Sequence, residues 1–116
     1  MPDYEVLPEF RVTLTRLELG EEAYPRDGSY DWLGQRTKLG GEPDWDQHDE
    51  RPMCPSCEKP MSFVAQIDSV EHLSKTNPHG VDPIGPNQKW MFVDVGMIYV
   101  FYCFECLETQ SVLQFG

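Results

Sequence analysis

The chain has 116 residues, 40% of them hydrophobic, and a formal net charge of −11 from 20 acidic and 9 basic side chains. That length holds one domain with a modest core, which leaves a use for an extra staple. Such acidity works against binding to nucleic-acid backbones or anionic membranes; it serves solubility, or it favours basic partners. No stretch is long and apolar enough to span a bilayer. The opening "MPDYEVLPEF" has neither the basic segment nor the apolar run of a secretory signal. A cytoplasmic location is expected, where thiols stay reduced.

In chain order, "PEFRVTLTRLEL" over 8–19 alternates apolar and polar residues, as a half-buried strand does. Phe10, Val12 and Leu14 share one parity and Leu17 and Leu19 the other, so one bulge near Thr15 or Arg16 would put all five on one face. Residues 20–53 are rich in Gly, Pro and Asp and read as turns. "PMSFVAQID" over 60–68 is the next strand. Residues 69–88 form a long insertion, most of it a Pro- and Gly-bearing loop, with at most a turn of helix within 66–75. "KWMFVDVGMIYVFYC" over 89–103 is β-rich, with Gly96 marking a turn or bulge, and "TQSVLQF" over 109–115 is the last strand. The fold class expected is a small, mostly β single domain over 1–116, with a zinc ribbon embedded in 54–116.

The ribbon follows from the cysteines. Cys54-Pro55-Ser56-Cys57 and Cys103-Phe104-Glu105-Cys106 are identically spaced pairs that use all four cysteines of the chain. A two-residue gap folds into a knuckle that directs both sulfurs at one ion, and four thiolates complete a closed tetrahedron around Zn2+. The second pair falls between two strands, at the tip of a hairpin; the first runs directly into a third strand. The segment between the pairs exceeds the roughly 15–20 residues of a compact ribbon. Thioredoxin-like redox chemistry needs a βαβ setting, and neither pair opens a helix. Disulfides suit an oxidising compartment better. One structural zinc ion held by Cys54, Cys57, Cys103 and Cys106 is therefore expected.

"KLGGEPDWDQHDE" over 38–50 is the other unusual stretch. Gly40-Gly41 permits positive φ, and Trp45 stands among acids. The segment is either a recognition loop or a turn whose Trp45 plugs the core. Asp44, Asp46 and Asp49 lack the spacing of a calcium loop. His48, His72 and His79 are scattered, Asp68 has no evident partner, and no phosphate loop or nucleophile motif is present. Phe101, Tyr102, Phe104 and Phe115 surround the second knuckle, where rings could stack on bases, but no Lys or Arg follows Lys89. Core packing is the better reading of those rings.

"KLGGEPDW" (38–45), "CPSCEKPMSFVAQID" (54–68) and "YVFYCFEC" (99–106) together resemble two related groups, the YwqG-like bacterial family and the N-terminal part of the programmed cell death protein 2 family. The likeness covers residues 37–115. Members of both are longer, and the MYND finger of the eukaryotic group is missing here. The eukaryotic group implies a chaperone for a basic ribosomal protein; the bacterial one implies immunity against toxins. Both imply protein binding. The function expected is a non-enzymatic, zinc-stabilised interaction domain for a basic protein, with contact residues Glu42, Asp44, Trp45, Asp46, Asp49 and Glu50. The rival classes are a nucleic-acid-binding zinc ribbon and a thiol-dependent redox enzyme.

Overall fold

The computed structural model describes residues 3–4, 9, 11–24, 36–69 and 96–115. Four strands form one antiparallel sheet in the order β1-β2-β3-β4: β1 (Lys38–Leu39), β2 (Ser62–Asp68), β3 (Met97–Cys103) and β4 (Glu108–Gln114). No helix occurs among the described residues. The protein is thus a small, mostly β domain.

β3 sets the pattern. In MIYVFYC, β-branched and aromatic residues favour the pleat, and alternation sends Met97, Tyr99, Phe101 and Cys103 into the core. Ile98, Val100 and Tyr102 lie half-buried on the opposite face. β2 pairs Phe63 with Phe101 but Ala65 with Val100, so Val64 is an extra residue and forms a bulge. That bulge keeps Phe63, Gln66 and Asp68 on the core face. The Val64 carbonyl accepts a 2.7 Å bond from the N–H of Gly40. Gly40 and Gly41 both have positive φ (75° and 73°), which turns the chain out of β1 and across the sheet.

The segment that crosses, 42–48, has no strand of its own. Irregular backbone over a core still needs hydrogen-bond partners, and the sheet supplies them from side chains. Gln66 Oε1 accepts from Asp44 N–H, the Tyr99 hydroxyl donates to Asp44 C=O and accepts from Asp46 N–H, and Gln114 Oε1 accepts from Gln47 N–H while its Nε2 donates to His48 C=O. Gln66, Tyr99 and Gln114 are buried. Burial raises the Tyr99 pKa, so its hydroxyl stays a donor at any physiological pH. These polar core residues fix where Trp45 lands: its ring lies 4.6 Å from Tyr99 and 5.8 Å from Phe101, centroid to centroid. Of the two readings of this stretch, the turn that packs Trp45 on the core is the one observed.

At the end of the sheet away from the cysteines, Arg36 is buried between two carboxylates. Its Nε and Nη2 donate to the two oxygens of Asp68 at 2.9 and 3.0 Å, and its Nη1 bonds Asp46 Oδ1. This is the partner that Asp68 lacks in the linear sequence.

Several expectations are corrected. The strand expected over 8–19 is absent where it can be seen: residues 11–18 carry no strand. Val12 is 75% and Leu14 70% exposed, and Leu17 and Leu19 are also exposed. Alternation alone does not make a strand, because a ladder needs a neighbour, and none of the described residues pairs with this segment. The segment ends in a turn instead, with a bond from Glu21 N–H to Glu18 C=O and Gly20 at φ 87°. Residues 66–68 belong to β2, not to a helical turn. Phe104 is 71% exposed and Phe115 is also exposed, so only Phe101 of the four rings near the second knuckle is fully core. β1 was not anticipated within 20–53. The insertion over 70–88, the segment 89–95, Phe10, His72 and His79 lie outside the described residues.

Candidate metal centre

The two cysteine pairs meet at one end of the sheet. The first knuckle is a closed loop before β2: Pro52 C=O accepts from Met61 N–H, and Met53 bridges Pro60. The second is the four-residue turn 104–107 of the β3–β4 hairpin, closed by the Cys103–Glu108 pair. Their backbones follow the same course. Glu58 N–H donates to Cys54 C=O at 2.8 Å, and Leu107 N–H donates to Cys103 C=O at 2.8 Å. The residue after each second cysteine takes positive φ, 62° at Glu58 and 58° at Leu107. Non-glycine residues hold that conformation only when their surroundings impose it. The same strained turn, made twice, serves to aim two sulfurs at one point.

The Sγ atoms of Cys54, Cys57, Cys103 and Cys106 all lie within 4.8 Å of one another. Cys57 and Cys103, from different knuckles, are 3.7 Å apart. A tetrahedron with metal–sulfur bonds of about 2.3 Å has edges of about 3.8 Å, so the donors fit a four-coordinate ion. All four cysteines are free thiols, with Cys54 and Cys103 buried and Cys57 and Cys106 half-buried. Backbone N–H groups supply the usual outer support: Cys106 N–H points at Cys103 Sγ at 3.5 Å. Backbone hydrogen bonds, first from Cys57, lower the Cys54 pKa to about 7, whereas burial pushes Cys106 up to about 12. Four sulfurs this close resist joint ionisation, and a divalent cation is what would make all four thiolates stable together.

Polar clasps join the knuckles on the surface. Lys59 Nζ meets both carboxylate oxygens of Glu105 at 3.1 Å, and Ser56 Oγ donates to Glu108 Oε1 at 3.1 Å. His48 lies apart from the sulfurs and pairs with Glu50.

The six acidic-loop candidates separate into two groups. Asp44 is held by Tyr24, Lys38 and Gln66, Asp46 by Arg36, and Trp45 by Tyr99 and Phe101. Burial raises the Asp46 pKa, which Arg36 opposes. Glu42, Asp49 and Glu50 remain on the surface, Glu42 beside Arg51 at 2.9 Å. Sequence reasoning missed Arg36, Gln66 and Gln114 as organisers of this loop. For Gln66 and Gln114 the signal is a polar residue at an inward parity within a strand; Arg36 lies before β1 and carries no such signal.

No family model matches the chain, and no solved structure matches it. Over 78 residues, 67% of this chain, it is 31% identical to the uncharacterized protein YpfL of Salmonella typhimurium. The chain spans 15% of the length of that relative. The similarity is to one part of a much longer protein whose own role is open.

Proposed function

We propose that this domain is a non-enzymatic protein-interaction module, held together by one structural zinc ion on Cys54, Cys57, Cys103 and Cys106, and that its partner is a basic protein. The observation that carries it is the closed set of four converging sulfurs. A catalytic zinc keeps an open position for water or substrate, and four cysteines leave none. The same donors engaged as ligands have no free thiolate to offer as a nucleophile. Charge supports the choice of partner. Glu42, Asp49, Glu50, Glu105 and Glu108 lie at or near the surface, and no Lys or Arg occurs over 97–115. Acidic surfaces of this kind speed the approach of a basic partner and reject acidic ones. A chaperone-like or immunity-like role, as the sequence resemblances imply, would use such a surface.

The test is a pull-down from native lysate with the metal-loaded chain, eluted on a salt ramp and read by mass spectrometry. One basic protein leaving at high salt supports the reading. Retention of single-stranded DNA or RNA at low salt would overturn it in favour of a nucleic-acid ribbon, and a fast-reacting thiol in the zinc-loaded protein would revive redox chemistry.

A further inference from the structure

β4 is an edge strand without the protection that edges normally carry. Among the described residues it pairs on one side only, with β3. Every second residue of such a strand turns its N–H and C=O outward, and among the described residues no backbone hydrogen bond reaches them. Thr109, Gln110, Ser111 and Leu113 are exposed. Natural edges are blunted by shortness, lysine, proline or a bulge. β1, at the opposite edge, has only two residues. β4 has seven, ETQSVLQ, with no lysine or proline, and its register runs unbroken from Cys103–Glu108 to Met97–Gln114. The metal knuckle fixes one end of this edge and the Gln114 bonds to the 47–48 backbone fix the other, so the strand is held straight and ready.

Its surroundings select an occupant. Glu108 stands at one end, and Glu50, whose Oε1 accepts from Gln114 Nε2 at 3.0 Å, stands at the other. Asp49 is adjacent, and no basic residue lies on β3 or β4. On the face away from the core, Leu113 pairs beside Ile98, and Ile98 beside Ile67, in an apolar row that reaches the edge; Ile67 and Leu113 are both exposed. A second copy fits poorly. Antiparallel pairing of two β4 strands would bring Glu108 of each copy toward the other's Glu50, between chains of −11 each.

We propose that the outer edge of β4 is a docking site for an extended, basic peptide segment of a partner protein, which joins the sheet as a further antiparallel or parallel strand. Main-chain bonds to β4 supply the pairing, an apolar side chain lies beside Leu113, and Lys or Arg near the ends meet Glu108 and Glu50. This rests on the reading of a basic partner and adds where and how it binds.

The probe is a fluorescent peptide of alternating lysine and valine, about as long as β4, titrated into the metal-loaded chain and followed by anisotropy. A second peptide carries the same charges but is N-methylated at alternate residues, which removes the donors of one strand edge. A third alternates glutamate and valine. The expected result is binding of the first, a loss of about tenfold or more on N-methylation, and no binding of the third. Leu113→Lys, at an exposed position, should weaken the first peptide while metal content and circular dichroism stay unchanged. Equal affinity of the methylated and unmethylated peptides would overturn edge pairing while leaving the basic-partner reading in place. No binding of any lysine peptide, together with an empty pull-down, would overturn both. A concentration-dependent dimer in sedimentation that Leu113→Lys abolishes would give the edge to a second copy and also overturn the proposal.

Discussion

Replacing Arg36 by Met tests whether the carboxylate–guanidinium cluster opposite the four cysteines holds the acidic loop to the sheet. The Arg36 side chain is 3% exposed and that of Asp68 0%. The guanidinium grips Asp68 with two nitrogens at 2.9 and 3.0 Å and Asp46 with a third. Burial is the largest single influence and disfavours its charge, but the hydrogen bonds and charges of Asp68 and Asp46 together outweigh it and raise its pKa above the ordinary value. Methionine roughly keeps the volume and deletes the charge. Asp68 would keep only the backbone donors of Arg36 and Ser69, and Asp46, whose Oδ2 is already buried without a hydrogen bond, would lose its counter-ion. Breaking a buried pair from one side costs about 3–5 kcal/mol, a large share of the roughly 5–15 kcal/mol that holds a domain. Arg36→Lys keeps the charge but not the fork, and should cost about 1–3 kcal/mol.

The assay is urea unfolding of the metal-loaded protein by tryptophan fluorescence, repeated across pH. Asp46 gives the sign. Its folded pKa is raised by burial and restrained by Arg36, so removing Arg36 raises it further. A carboxyl with a folded pKa above its unfolded value favours the fold when protonated. The deficit of Arg36→Met is therefore full at neutral pH and narrows as pH falls through the raised Asp46 pKa. In a double-mutant cycle, Arg36→Met with Asp68→Leu should show coupling above about 1 kcal/mol. An Arg36→Met variant within about 1 kcal/mol of the parent, or a deficit that does not change with pH, would refute the reasoning.

Stripping the metal with a chelator should unfold the domain, because structural zinc sites contribute about 10–16 kcal/mol of apparent binding energy, comparable to the whole stability; native circular dichroism after metal loss would contradict this, and elemental analysis should find one zinc per chain. Trp45→Ala should cost about 2–3 kcal/mol in the same urea assay through loss of the Tyr99 and Phe101 contacts, with metal content unchanged. Leu107→Gly relieves a left-handed residue at φ 58° whose side chain is exposed, so it should be neutral or stabilise by up to about 1 kcal/mol; a clear loss would show that the Leu107 side chain does more than the backbone geometry requires.

The parts of the fold that were legible in the sequence are those where local pattern and tertiary need agree. β2 and β3 carry β-branched and aromatic alternation, and the paired CxxC motifs require their strands to meet. Residues 11–19 show why a similar pattern misleads elsewhere: their alternation changes parity partway, and no strand among the described residues receives it. The polar partners of the acidic loop are hidden for a related reason. Asp44 and Asp46 look like surface charge in the sequence, and only the positions of Lys38, Tyr24 and Arg36 in the fold show what they bind. Long-range polar pairing has no periodicity to read. Gln66 and Gln114 are the instructive cases, since an inward glutamine in a strand looks like an error until an irregular backbone is laid over it.

Taken together, these contacts describe a small sheet clamped at both ends. The four cysteines close the end where β3 turns into β4, and Arg36 with Asp68 and Asp46 closes the end where β2 finishes and β3 begins. The clamps are separated by the length of a seven-residue strand, about 20 Å. Between them lie Met61, Phe63, Met97, Tyr99 and Phe101, capped by Trp45, a core too small to hold the loop without the polar bonds at its edges. At that separation the clamps act as independent contributions, one expected to respond to metal and the other to pH. The acidic loop is fastened at the Arg36 end, and β4 leaves the cysteine end with no described residue paired to its outer edge. The elements that fix the sheet therefore lie on its core face and at its two ends, which leaves the β4 edge as the side where another chain can join without disturbing either clamp.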